Sequence, residues 1–157
     1  MKDKKACIFY FLMTIILLDF GNQLRNISYY SSINAAHNSL FSIIHLNNTG
    51  SAFSMLQNQA QILAYIGIAV VLFVAFQVFK NVTFQDKNQL LALTLFSAGT
   101  LGNIIERFKF GYVVDYIKLN FINFPVFNAF DIMICTGIFV YCLYIFLENK
   151  KVKNDSN

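Results

Sequence analysis

Asp115 and Asp131 are acids in a chain that carries few charges. Lys, Arg, Asp and Glu together make up 13% of its 157 residues, whereas 57% are hydrophobic. Both aspartates border long apolar runs, as do Asp19, Glu106 and Arg107. Two carboxylates held close together do not both ionise readily. One keeps its proton, the other carries the charge, and the pair titrates as a unit. The charged member can take a proton from water while the protonated member donates one to a carbonyl oxygen. General acid–base work of this kind is worth about 10²–10⁴-fold in rate. Spacing along the chain does not by itself bring Asp115 and Asp131 together, so their proximity is an expectation.

Other chemistries fit less well. There is no HExxH pair for zinc, no GxSxG nucleophile turn and no glycine-rich phosphate cradle. His37 and His45 have no acid partners at metal-binding spacing and read as ordinary loop residues. Cys7, Cys135 and Cys142 lie in apolar runs without CxxC or Cys/His spacing, and read as small buried hydrophobes. The net charge of +4 sits at the chain ends and in short connections, which argues against nucleic acid as a partner.

The elements that must position the acids are membrane spans. With so few charges and a mean hydropathy of +0.53, a soluble domain could not cover its apolar surface. Crossing the hydrocarbon core takes about 20 mostly apolar residues, and four segments qualify, near 6–24, 60–79, 88–107 and 127–147. The fold class expected is an all-α membrane protein of four transmembrane helices, in a single domain over 1–157. The lysines before the first apolar run could also open a cleaved signal peptide. Asp19 and Asn22 stand where small cleavage-site residues belong, which favours a retained first helix.

Basic residues set the direction. Lys2, Lys4, Lys5, Lys80, Lys87, Lys150, Lys151 and Lys153 fall on one side, and Arg25, Arg107, Lys109 and Lys118 on the other. Both termini are then cytoplasmic. On that topology Asp19, Asn103, Glu106, Arg107, Asp115, Asn128 and Asp131 all collect at the outer membrane face. An ionisable group at mid-membrane costs about 2.5–3.5 kcal/mol on insertion scales. A structural network around Arg107 is one explanation for keeping several of them; a site is the one favoured here.

The motifs along the chain resemble those of the signal peptidase II, or lipoprotein signal peptidase, family. Asn48-Thr49-Gly50-Ser51-Ala52-Phe53-Ser54 is similar to its N-x-G-x-A-F. Gly102-Asn103-Ile104-Ile105-Glu106-Arg107 is similar to G-N-x-x-D-R. Gly111-Tyr112-Val113-Val114-Asp115-Tyr116-Ile117 resembles G-x-V-V-D-F-I. Pro125-Val126-Phe127-Asn128-Ala129-Phe130-Asp131 resembles P-x-F-N-x-A-D, with its Ala one place early. Each motif is weak alone; four in order on a four-span pattern are specific. Glu106 departs from the family's Asp. In the first helix, Asn22 and Gln23 replace the Ser or Thr and the Lys that follow the family's acid, leaving Arg25 as the nearest cation.

The resemblance implies an aspartic endopeptidase with Asp115 and Asp131 catalytic. Asp19, Asn48, Gly50, Asn103, Glu106, Arg107 and Asn128 would bind substrate or support the site. Asn48 would position the substrate backbone, Asn128 would orient Asp131, and Arg107 would neutralise an acid or meet lipid phosphate. Helix capping or turn formation is the simpler account of each Asn. No metal or organic cofactor is implied. The substrate would be a prolipoprotein carrying a diacylglyceryl-cysteine, cleaved on the N-terminal side of that cysteine. The enzyme would be a monomer among lipids of the bacterial cytoplasmic membrane, its site near the outer face, with a small extracytoplasmic β-element near Tyr29 to Leu46. Two rivals remain: an inactive paralogue that still binds lipidated peptides, and a small proton-linked transporter using the same acids.

Overall fold

A computed structural model describes residues 3–33, 38–50, 58–83 and 86–155. The order is α1 (Lys4–Ile33), β1 (Phe41–Asn48), α2 (Ala60–Lys80), α3 (Lys87–Phe110), β2 (Val113–Leu119) and α4 (Ala129–Asp155). Helix α1 starts behind Asp3, whose Oδ1 accepts the N–H groups of Lys5 and Ala6 at 2.9 and 3.3 Å. Those donors are otherwise orphaned at a helix N-terminus. Helix α3 ends at Gly111, which adopts φ +79° and returns its N–H to the Arg107 carbonyl at 3.0 Å. Glycine suits this left-handed cap, and the chain turns there into β2.

Helix α3 is the central element and packs against α1, α2 and α4. Its buried face is built from small and hydroxyl side chains, among them Ala92, Thr94, Ser97, Ala98 and Gly102. Small residues let helices approach closely where lipid offers no hydrophobic drive to association. The hydroxyls are satisfied: Tyr10 donates to Ser97 Oγ at 2.7 Å, and Thr94 to the Leu90 carbonyl at 2.7 Å. Large apolar side chains such as Ile15, Leu72, Phe73, Phe139 and Phe146 point outward. That inverted distribution suits hydrocarbon surroundings, not water. Three helices, over Lys4–Ser31, Ala60–Lys80 and Ala129–Lys150, are long and apolar enough to cross a membrane.

Several boundaries differ from the sequence reading. Residues Tyr29–Ile33 continue α1 and do not open a β-element. The later part of the expected stretch, from Phe41, is strand β1, which pairs with β2, antiparallel, with Asn48 opposite Val113 and Leu46 opposite Asp115, and an irregularity between Ile43 and Leu46. The second strand thus comes from the connection before α4, which carries little strand-like alternation. His45 lies on β1, edge-on to the Tyr29 ring, and not in a loop. Cys135 and Cys142 are exposed on α4 and only Cys7 is buried. His37 and the motif residues Ser51 to Ser54 lie outside the described residues.

Candidate active site

The site forms where β2 and the start of α4 meet the C-terminal half of α3. After β2 the chain loops back, and Phe127 exchanges backbone hydrogen bonds with Ile117, N–H to carbonyl at 2.8 and 3.1 Å. This bridge sets Asn128 beside Asp115. Asn128 Nδ2 donates to Asp115 Oδ1 at 2.8 Å, and Asn48 Nδ2 donates to Oδ2 at 2.8 Å. Both carboxylate oxygens of Asp115 therefore face an amide donor.

Asn128 is also the N-cap of α4. Its Oδ1 accepts the Asp131 N–H at 3.0 Å, and its own N–H donates to Asp131 Oδ2 at 3.1 Å. This reciprocal arrangement is a capping box, with Asp in the place usual for Glu or Gln. Capping and carboxylate orientation, posed as alternatives from sequence, are here the same contacts. The remaining oxygen, Asp131 Oδ1, accepts from Asn103 Nδ2 at 2.8 Å, and Asn103 Oδ1 accepts from Asn128 Nδ2 at 3.3 Å. Asp115 and Asp131 are thus joined through Asn103 and Asn128.

Asp115 is 2% exposed. Burial is the main reason its carboxyl is pushed up from 3.8 to about 6; the Asn48 donor opposes the rise, the Asp131 charge adds to it, and Asn128 and Arg107 oppose it. A carboxyl in that range exchanges protons near neutral pH, as acid–base work requires.

The other expected residues occupy distinct places. Asn48 Oδ1 accepts the Gly50 N–H at 3.0 Å, and the Gly50 carbonyl accepts from Arg107 Nη2 at 3.0 Å. Arg107 Nη1 donates to the Asn103 carbonyl at 3.2 Å. Its hydrogen bonds therefore tie the end of β1 to α3, and it forms no ion pair among the described residues. Glu106, 2% exposed, accepts the Val114 N–H at 2.7 Å through Oε2 and meets Arg25 Nη1 at 3.4 Å through Oε1. Asp19 does not join this cluster: it is exposed on α1 and accepts from Gln23 Nε2 at 2.6 Å.

Two contributors were not singled out from sequence. Arg25 stood out only as the cation nearest Asp19, and the structure turns it onto Glu106. Tyr116 stands where the family pattern has Phe, and its hydroxyl accepts the Ala129 N–H at 3.1 Å, satisfying a second first-turn donor of α4. Burial raises the Tyr116 phenol above its ordinary value, so it remains a neutral hydroxyl. The Phe-to-Tyr difference was the available signal. Among the described residues, no group of three or more His, Cys, Asp or Glu side chains is arranged to hold a metal ion.

Apolar helices around two carboxylates joined by amide side chains define a helical membrane protein with a buried polar cluster. Comparison with known proteins is specific. The family described as Signal peptidase (SPase) II matches residues 11–147. The "Lipoprotein signal peptidase" of Streptococcus agalactiae serotype Ia is 39% identical over 118 residues, 75% of each chain. That of Latilactobacillus sakei subsp. sakei is 32% identical over 149 residues, 91% of this chain and 97% of the relative. A bacterial membrane enzyme solved by the in meso method shares the fold with a TM-score of 0.79 and 21% identity, over 90% of both chains. The chain belongs to the signal peptidase II family, and is a multi-pass bacterial membrane enzyme and an aspartic peptidase.

Proposed function

We propose that residues 1–157 form one membrane-embedded peptidase domain in which Asp115 and Asp131 are the catalytic pair. The substrate is a lipid-modified prolipoprotein, cut on the N-terminal side of its diacylglyceryl-cysteine; the names of the relatives support this substrate class. The observation that carries the reading is the bridged pair itself: two carboxylates from β2 and α4, linked through Asn103 and Asn128. Water attacks the scissile carbonyl carbon as the ionised carboxylate takes its proton, and the protonated carboxyl donates to the carbonyl oxygen. The tetrahedral adduct then collapses, a proton passes to the leaving nitrogen, and both carboxyls return to their starting states. Asn48 positions the substrate backbone beside Asp115. Asn103, Glu106, Arg107, Asn128 and Gly50 support the site, and Asp19 meets substrate or lipid from the exposed side of α1.

Helix α3 is read as the fourth span. Its 24 residues run among the other three helices, and its lower hydropathy follows from the polar side chains it buries. Eight basic residues against four support a topology with both termini in the cytoplasm and the site near the outer face of the cytoplasmic membrane. A monomer suffices, because both carboxylates and their amide donors come from one chain.

Asp115→Asn tests the reading. Lipid-modified precursor should accumulate uncleaved in membranes while the level of the variant stays normal. Undiminished cleavage in purified membranes would sink the assignment. A pH-gradient response that is lost with Asp115 in proteoliposomes would favour a transporter, and precursor binding without cleavage by the unaltered chain an inactive paralogue.

A further inference from the structure

Glu106 has both carboxylate oxygens engaged, and neither contact is with the Asp115–Asp131 pair. Oε2 accepts the N–H of Val114, the residue just before Asp115, at 2.7 Å. Oε1 meets the Arg25 guanidinium of α1 at 3.4 Å. Arg25 is held from other sides too: its guanidinium carbon lies 5.5 Å from the Phe110 ring centroid, and Nη2 donates to Asn26 Oδ1 at 3.3 Å. A planar guanidinium can stack on a ring and meet a carboxylate at once, which an ammonium cannot match. One buried carboxylate therefore links α1, α3 and the β2 backbone next to Asp115. Both members stand at or beside departures from the family pattern: Glu106 replaces Asp, and Arg25 lies two residues beyond Gln23, which replaces Lys.

We propose that Arg25 and Glu106 form a positioning pair that fixes the Val114–Asp115 backbone and thereby aims the Asp115 carboxylate. The inference rests on the reading of Asp115 as catalytic. Glu106 is the arm that reaches Val114, and Arg25 keeps that arm in one rotamer. Shortening the arm to Asp draws both oxygens back by about 1.5 Å, one C–C bond, so it cannot hold both partners in place. Misplacing a catalytic group by about 1 Å costs up to about 10²-fold in rate.

The test is steady-state kinetics of the full-length protein in micelles with a synthetic peptide bearing a diacylglyceryl-cysteine. Rates are normalised to folded protein. Arg25→Met and Glu106→Gln should each lower kcat by about 10- to 100-fold with KM within about twofold of the starting value. The double variant should fall no further than the worse single one, because each change removes the same constraint. Glu106→Asp should lose about tenfold in kcat although its charge is kept, and Arg25→Lys should recover only part of the loss seen with Met, because the ammonium keeps the charge at Glu106 and loses the stack on Phe110. These two conservative variants decide the matter if the others do not fold. Losses that multiply in the double variant, a change in KM with kcat intact, or unchanged kcat per folded molecule with only a lower melting temperature would each overturn the pairing. Asp115→Asn is assayed alongside. If it stays active, the catalytic reading fails and the positioning pair with it. If it is inactive while the pair variants turn over normally, the positioning pair alone fails.

Discussion

Removing one amide donor from Asp115 should move its titration in a direction and by an amount the geometry sets. Asn48 and Asn128 each donate to one oxygen of this carboxylate at 2.8 Å. Both bonds favour the ionised form and oppose the burial that lifts the group to about 6. A hydrogen bond to a charged group is worth about 1.5–3 kcal/mol, and one pKa unit corresponds to 1.36 kcal/mol. Loss of either bond therefore raises the carboxyl by about one to two units, and by about one unit where water enters the space left by alanine. The profile of kcat/KM against pH should show a limb near pH 6 from Asp115, moved to about pH 7 in both Asn48→Ala and Asn128→Ala.

The two variants should part company in stability. Asn128 caps α4 and Asn48 does not, and loss of an N-cap costs about 0.5–2 kcal/mol. Thermal unfolding in micelles should place Asn128→Ala below Asn48→Ala. Activity that rises through the limb marks Asp115 as the base, and activity that falls through it marks the acid; the upward shift holds in either case. A limb that stays put while rates fall would refute the claim that these amides act on the Asp115 carboxylate. A downward shift would refute it more directly, since it would mean that the amides stabilise the protonated form.

Asp115→Asn should also change how stability depends on pH. Its carboxyl is raised from 3.8 to about 6 in the folded protein, so its contribution is fully present below about 3.8 and lost as pH rises through 6. About two units amount to about 3 kcal/mol, and the melting temperature of the Asn variant should gain on the parent between pH 4 and 7; parallel curves would count against the shift. Gly21→Ala should disturb the seat of α4, because a Cβ there would overlap the Phe130 ring, which also lies against Gly102. Overpacking costs about 1–3 kcal/mol, and Phe130→Ala should be less harmful in the Gly21→Ala background than alone. Additive melting shifts would show that the ring has room to move.

The long apolar helices were legible from composition, whereas rotation about each helix was not. The apolar run of α2 reads directly as long and apolar enough to cross a membrane, whereas α3 buries Thr94, Ser97, Asn103 and Glu106, and those side chains lower its hydropathy. Placing Asp19 and Glu106 at the same depth suggested one cluster. At 3.6 residues per turn, Arg25 lies about 120° around α1 from Asp19, and it is Arg25 that faces Glu106 while Asp19 faces outward with Gln23. The strand pairing was hidden for a related reason. Residues 113–119 present Val113, Val114, Asp115 and Tyr116 all buried, because one face meets helices and the other the site, so no alternation marks the strand.

Asn48 and Asn128 show why a local structural role and a contact with the site carboxylates need not compete. Read alone, Asn128 before an apolar run is a helix cap, and Asn48 ahead of Gly50 is a turn former. Both roles are present: Asn128 Oδ1 holds the Asp131 N–H, and Asn48 Oδ1 holds the Gly50 N–H. Each amide has two ends, and the end left over by the backbone task is a donor. In both residues that donor is aimed at Asp115. Glutamine would move the amide one methylene away from its cap or turn, and serine or aspartate would keep the acceptor but lose the amide donor. Asparagine at these positions is the residue that terminates the local structure and solvates a buried carboxylate with the same planar group. For the same reason a cap predicted from sequence at Asn128 predicts the place of Asp131 as well, because the capping box is what holds that carboxylate beside Asn128.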